Sequence, residues 1–161
     1  MTRVSFWEVR KHMPAVVVGS SLGAVVALEV ARMGLRAPLV LVAPAIGFGS
    51  RWAEKLPPED PPVFFHHGEG KELPIHRRFF DDLARLEEAR EPPPVPVSVV
   101  MGRQDESVPF AHVAEVWRQW EASGKLLEGS RFVEIPSGDH GLIEHADAIA
   151  GEILAAASAR V

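Results

Sequence analysis

The order of apolar segments predicts an α/β protein, a parallel sheet of about four strands with helices on both faces. Three observations carry this. Continuous apolar runs at 15–18 and 38–43, and a strand at 95–101 broken only by Ser98, lack the polar alternation of a half-exposed strand, so both faces of each are expected to be covered. Segments with helical spacing alternate with those runs, the rhythm of parallel strands joined by crossovers. Short polar turns containing glycine follow the segments 15–18, 95–101 and 131–135, where an open parallel sheet places its crevice.

Residues 1–13 mix Val4, Phe6, Trp7 and Val9 with Arg3, Glu8, Arg10 and Lys11, which fits a short amphipathic helix stopped by Pro14. A first strand is expected over 15–18 and a helix over 21–33, closed by Gly34 just past its end. Residues 38–43 form the second strand. From Pro44 to Pro62 five prolines and two glycines break the rhythm, leaving room for one helical turn around Phe48 and Trp52. Residues 63–67 and 73–75 flank Gly68-Glu69-Gly70 as a hairpin, and 77–90 reads as an amphipathic helix with Phe79, Phe80, Leu83 and Leu86 inward. The whole excursion, 44–94, sits where a single α/β domain would carry a lid. Strand 95–101, helix 110–121, strand 131–135 and an Ala-rich helix over 143–158 complete the chain.

Composition narrows the function. At 161 residues with 47% hydrophobic and 24% charged residues, the chain is expected to be one soluble domain. A net charge of −5 and a pI near 5.8 leave no basic stripe for nucleic acid. No apolar run reaches the roughly 18 residues a membrane span needs, and the first residues lack a secretory pattern, so a cytoplasmic location is expected. The absence of Cys excludes disulfides, thiolate metal sites and a cysteine nucleophile. There is no Asn, Gln occurs twice, and 14 residues are Pro, a thermophile-like composition that a GC-rich genome also produces.

The stretch with chemical content is Gly19-Ser20-Ser21-Leu22-Gly23, a Gly-x-Ser-x-Gly motif between a buried-type strand and a helix. Such a turn holds Ser21 in a strained conformation at a helix N-terminus, where orphan N–H groups and the helix dipole favour developing negative charge. Side chains at 19 and 23 are expected to collide with the strand or the helix start. The plainer reading makes Ser20 an ordinary N-cap. A serine nucleophile needs a base and a group that orients the base. Two polar turns after later strands offer them, Met101-Gly-Arg-Gln-Asp105-Glu-Ser-Val-Pro109 and Pro136-Ser-Gly-Asp139-His140-Gly141. Taken alone, Asp105 reads as an Asx-turn residue, Asp139 competes for the acid role, and His140 as a helix cap. His145 reads as solvated surface. His66, His67 and His76 with Glu69 or Glu72 match no strong metal-ligand spacing. No metal or cofactor is expected.

The order Ser, Asp, His in these three turns, with Leu41-Val-Ala-Pro-Ala45 after the elbow, resembles the α/β-hydrolase superfamily, most closely its small cytosolic carboxylesterases and thioesterases. The resemblance runs over nearly the whole chain from Pro14. It implies a three-layer sandwich with Ser21 as nucleophile, Asp105 as orienting acid, His140 as base and the Leu22 backbone N–H in the oxyanion hole. It implies a carboxylic ester or thioester as substrate, and Phe48 and Trp52 are candidate lining for an apolar acyl group. The family pattern also has strands and a His-Gly loop before the elbow, and only 18 residues precede Gly19 here. Upstream strands outside this sequence would explain that. So would a compact relative that closes the hole with Gly47-Phe48-Gly49, or a weakly active remnant serving as a binding module. An elbow strand with a bare edge is in turn expected to recruit a second copy of the chain.

Overall fold

A computed structural model describes residues 16–53, 56, 58–66, 69–87 and 91–158. The expected N-terminal helix over 1–13 lies outside the described residues. The chain divides into two compact units, one of Met1–Ala45 with Arg90–Val161, the other of Ile46–Ala89.

The first unit is built on four parallel strands. They are β1 (Val17–Ser20), β2 (Leu39–Val42), β5 (Val97–Gly102) and β6 (Arg131–Ile135), in the order β1-β2-β5-β6. Val17 pairs with Leu39, Leu39 with Val97, and Ser98 with Arg131, which aligns the strand ends on one side of the sheet. Every residue of β2 and β5 is buried, Ser98 included, as expected of central strands covered on both faces. β1 and β5 each run a residue or two beyond the expected ends, because the ladder continues through the glycines that were read as turn. Among the described residues β1 pairs on one side only, and its Val18 is half exposed.

Helix α1 (Leu22–Arg32) buries Ala24, Val25, Ala27, Leu28 and Ala31, a mostly small-residue face at helical spacing. It closes where Gly34, at φ +106°, donates its N–H to Ala31. Near that end the Arg32 guanidinium has its pKa lowered by desolvation, against which the nearby Glu29 carboxylate acts. Helix α4 (Phe110–Ala122) buries Val113, Trp117 and Trp120. The Trp117 and Phe110 rings lie 5.7 and 5.8 Å from Phe132, so an aromatic cluster ties α4 to β6. The expected last helix is a 3-10 turn over Ile143–His145 followed by α5 (Ala146–Ser158).

The second unit has helix α2 (Phe48–Ala53), strands β3 (Val63–His66) and β4 (Lys71–Pro74), and helix α3 (Arg77–Glu87). The two strands form the expected antiparallel hairpin, Val63 facing Pro74 and His66 facing Lys71. Its core is Phe80, 1% exposed, with the rings of Phe79, Phe64 and Phe48 at 5.2, 5.6 and 6.5 Å. α2 meets α3 so closely that a Cβ on Gly49 would stand 2.6 Å from the Ala84 nitrogen.

Candidate active site

Ser21 follows the last residue of β1 and is the N-cap of α1, at φ +52° and ψ −120°. A non-glycine residue held there costs about 1–3 kcal/mol, so its surroundings must enforce it. The Ser21 N–H donates to Val42 at 2.9 Å, and its carbonyl accepts from Ala24 and Ala45, both at 3.1 Å. Ala43, itself at φ +43°, brings the chain after β2 into position for the Ala45 bond. The hydroxyl of Ser21 makes no capping bond to the helix and is available for other work. The N-cap position therefore falls on Ser21 rather than on Ser20, which ends β1.

The two elbow glycines differ. A Cβ on Gly19 would stand 2.5 Å from the Gly23 oxygen and 2.7 Å from Ala24 Cα, all backbone that cannot swing away. At Gly23 no described atom lies within 4 Å of that point, so the expected collision is found at 19 and not at 23. Leu22 is the first residue of α1, where a helix leaves its N–H without an intrahelical acceptor.

Asp105 lies in the turn after β5, its side chain fully buried. Its Oδ1 accepts from the backbone N–H groups of Ser107 at 2.9 Å and Val108 at 2.7 Å. These are Asx-turn contacts, and they leave Oδ2 free to face away from its own loop. Arg103 in the same turn donates through two nitrogens to the Glu134 carboxylate on β6 and lies 5.1 Å from the centre of the Phe110 ring. Its hydrogen bond to Glu134 raises the guanidinium pKa.

His140 lies in the turn after β6. The two turns are joined by backbone bonds, Arg103 donating to Ile135 at 3.0 Å and Gln104 to Gly138 at 2.9 Å. Gly102 and Gly138 allow this approach. A Cβ on Gly102 would stand 2.2 Å from the Gly138 oxygen, and one on Gly138 would stand 2.4 Å from Leu142 Cδ2.

Side chains from the three turns meet at the His140 ring. Nδ1 lies 2.8 Å from Asp105 Oδ2, and Nε2 lies 3.1 Å from Ser21 Oγ. A carboxylate only accepts, so Nδ1–H donates to Asp105; Nε2 of the neutral ring then accepts from the Ser21 hydroxyl. Both distances suit proton transfer. The imidazole is one-third exposed while the carboxylate behind it is shut away from water, an arrangement that fixes the ring and leaves its outer edge open.

Asp139, the competing acid, is engaged elsewhere, its Oδ1 accepting from the Leu142 N–H at 2.8 Å. His145 Nε2 pairs with Ser137 Oγ at 3.3 Å. Phe48 belongs to α2 and stacks on Phe80; the Trp52 side chain and His67 lie outside what the structure describes. Among the described residues no three His, Asp or Glu side chains are grouped to hold a metal ion, and no helix is long and apolar enough to cross a membrane. The bracing roles of Ala45, Gly102, Gly138 and Asp139 were not read from the sequence, although the two glycines stand out as the residues that end β5 and begin the Gly-Asp-His turn.

Among solved structures the chain is similar to a hydrolase candidate from Agrobacterium vitis S4, at 20% identity and a TM-score of 0.70 over 91% of this chain and 63% of that one. Est1E from Butyrivibrio proteoclasticus shares 19% identity at a TM-score of 0.63, over 84% of this chain and 57% of that one. Mouse alpha/beta hydrolase domain-containing protein 10 shares 24% identity at a TM-score of 0.59, over 86% and 58%. The chain thus spans about three-fifths of the length of these relatives, from 57% to 63%. No curated protein sequence matches it. The model of the Uncharacterised protein family UPF0227 matches residues 6–130. The chain belongs to that family, and its fold is that of the α/β-hydrolase superfamily.

Proposed function

We propose that the chain is a serine hydrolase that cleaves carboxylic esters or thioesters through an acyl-enzyme intermediate. One observation carries this reading: a single imidazole accepts from the Ser21 hydroxyl and donates to the buried Asp105 carboxylate. A structural histidine has no need of a strained serine on one side and an Asx-held carboxylate on the other.

In the first step Ser21 Oγ forms a bond to the substrate carbonyl carbon while its proton passes to His140 Nε2. The carbonyl π pair moves onto oxygen, where the Leu22 N–H at the start of α1 donates to it. Collapse of this tetrahedral species breaks the bond to the alkoxide or thiolate, which takes the proton from Nε2. Water then attacks the acyl carbon, again losing its proton to Nε2, and the acid leaves with Ser21 restored. Asp105 holds the ring in the tautomer with Nδ1 protonated and stabilises the imidazolium formed in each half. All proton transfers run through one histidine, and the scheme uses no metal or cofactor.

The test is reaction with a fluorophosphonate probe together with hydrolysis of p-nitrophenyl butyrate and of an acyl thioester. Labelling is expected at Ser21, absent in Ser21→Ala and strongly reduced in His140→Ala. A folded wild-type chain inert to probe and esters refutes the reading and leaves a ligand-binding module as the alternative.

A further inference from the structure

We infer that Asp139, which does not touch the Ser21 hydroxyl, is a positioning residue that sets where the His140 imidazole stands. The inference rests on the hydrolase reading for its kinetic consequence but not for its geometry. His140 is the first of two residues bracketed by one hydrogen bond, from the Leu142 N–H to Asp139 Oδ1 at 2.8 Å. That bond closes a short loop with the histidine at its crest, and both ends of the loop are anchored. At the far end Leu142 is buried and held in the left-handed conformation, φ +49° and ψ 25°, which an L-residue with a branched side chain rarely adopts unless its neighbours require it. Its carbonyl accepts from the His145 N–H at 3.0 Å. At the near end the Gly138 carbonyl accepts from the N–H of Gln104, the residue immediately before Asp105, whose own carboxylate holds the Ser107 and Val108 N–H groups.

Without the Asp139 acceptor, the Leu142 N–H has no partner in the loop and the left-handed turn loses the contact that favours it. The His140 backbone is then free to shift, and the ring with it. A shift of about 1 Å is enough to cost roughly 100-fold in a rate that depends on aligned proton transfer. Asn at 139 keeps an acceptor oxygen in the same place and is expected to restore the loop; Ala does not. The same bond reaches the backbone of Leu142, the N-cap residue of the 3-10 turn over 143–145, so it joins the loop to the start of that turn.

The experiment compares wild type with Asp139→Ala, Asp139→Asn and Asp139→Ser by proton NMR and by probe reaction. The proton that His140 Nδ1 donates to Asp105 should give a far-downfield signal protected from exchange, assigned by its loss in His140→Ala. Asp139→Ala should lose or broaden that signal and drop kcat about 10- to 100-fold with little change in KM, and Asp139→Asn should recover most of both. If the Ala variant does not fold, Asp139→Ser, which keeps a shorter acceptor, is expected to show an intermediate signal and rate. A folded Ala variant with the wild-type signal overturns the inference, as does an Asn variant no better than Ala, or a wild type that lacks the signal. A wild type whose signal depends on Asp139 but which never reacts with the probe refutes the hydrolase reading and leaves the positioning role standing.

Discussion

Replacing Gly102 with alanine puts one methyl group between the two turns that carry Asp105 and His140. The new Cβ would lie 2.2 Å from the Gly138 oxygen and 2.5 Å from its carbonyl carbon, both backbone atoms. Relief to ordinary contact at 3.4 Å requires the turns to part by about 1.2 Å. The bond most exposed to that separation is the 2.8 Å contact between His140 Nδ1 and Asp105 Oδ2, which would stretch beyond hydrogen-bond length. Overpacking of this kind costs about 1–3 kcal/mol in stability. At roughly 2–4 °C per kcal/mol for a chain of this size, Tm should fall by about 2–12 °C. The rate of probe labelling at Ser21 should fall by about 100-fold, because the base is no longer held in line. Calorimetry and single-turnover labelling on the same sample measure both. A Gly102→Ala protein with unchanged Tm and labelling rate would show that the turns are not clamped as described.

Gly23→Ala is the counterpart, and with no described atom near the new methyl it should be neutral or raise stability by up to about 1 kcal/mol by urea titration, with labelling retained. Asp105→Asn keeps an oxygen for the Ser107 and Val108 N–H groups, so a folded protein with ester hydrolysis reduced by about 1,000- to 10,000-fold is expected; a loss below tenfold would deny Asp105 its orienting role. Phe80→Ala removes the centre of the aromatic cluster in the second unit and should cost about 3–5 kcal/mol there. Hydrogen exchange should then rise across 71–87 while 97–102 stays protected, and equal acceleration in both would contradict two separate cores.

β1, β2 and β5 were legible because each is a mostly aliphatic run with a glycine or proline at its end, and β6 because Phe132, Val133 and Ile135 crowd together just before Pro136. The three turns were legible because a serine, an aspartate and a histidine each follow such a strand in order. Asp105 shows where a local rule misleads. Its preference for an Asx turn was set against a role at His140, and the structure has both, one oxygen for each. Gly23 shows the opposite limit, since a motif glycine carries no sign of whether a side chain would meet anything. The backbone contact between Gly102 and Gly138 joins residues far apart in sequence, and the bond from Asp139 to Leu142 depends on a left-handed φ. Neither leaves a trace in hydrophobic periodicity.

The meeting of α2 and α3 at Gly49 and Ala84 bears on how the sheet assembles. β2 and β5 are neighbours in the sheet, yet the chain between Val42 and Val97 is 54 residues long. Closing a loop of that length sets back the pairing of the two central strands by an entropy that grows with the logarithm of the length. When the hairpin and its two helices condense first, the Gly49–Ala84 contact short-circuits that stretch. What is left to order is 43–48 on one side and 85–96 on the other, a third of the original length. The saving is about 1 kcal/mol, near a fivefold gain in the rate of strand pairing. An excursion that starts and finishes at one spot can also lengthen or shrink over generations while the strands on either side find each other as readily as before.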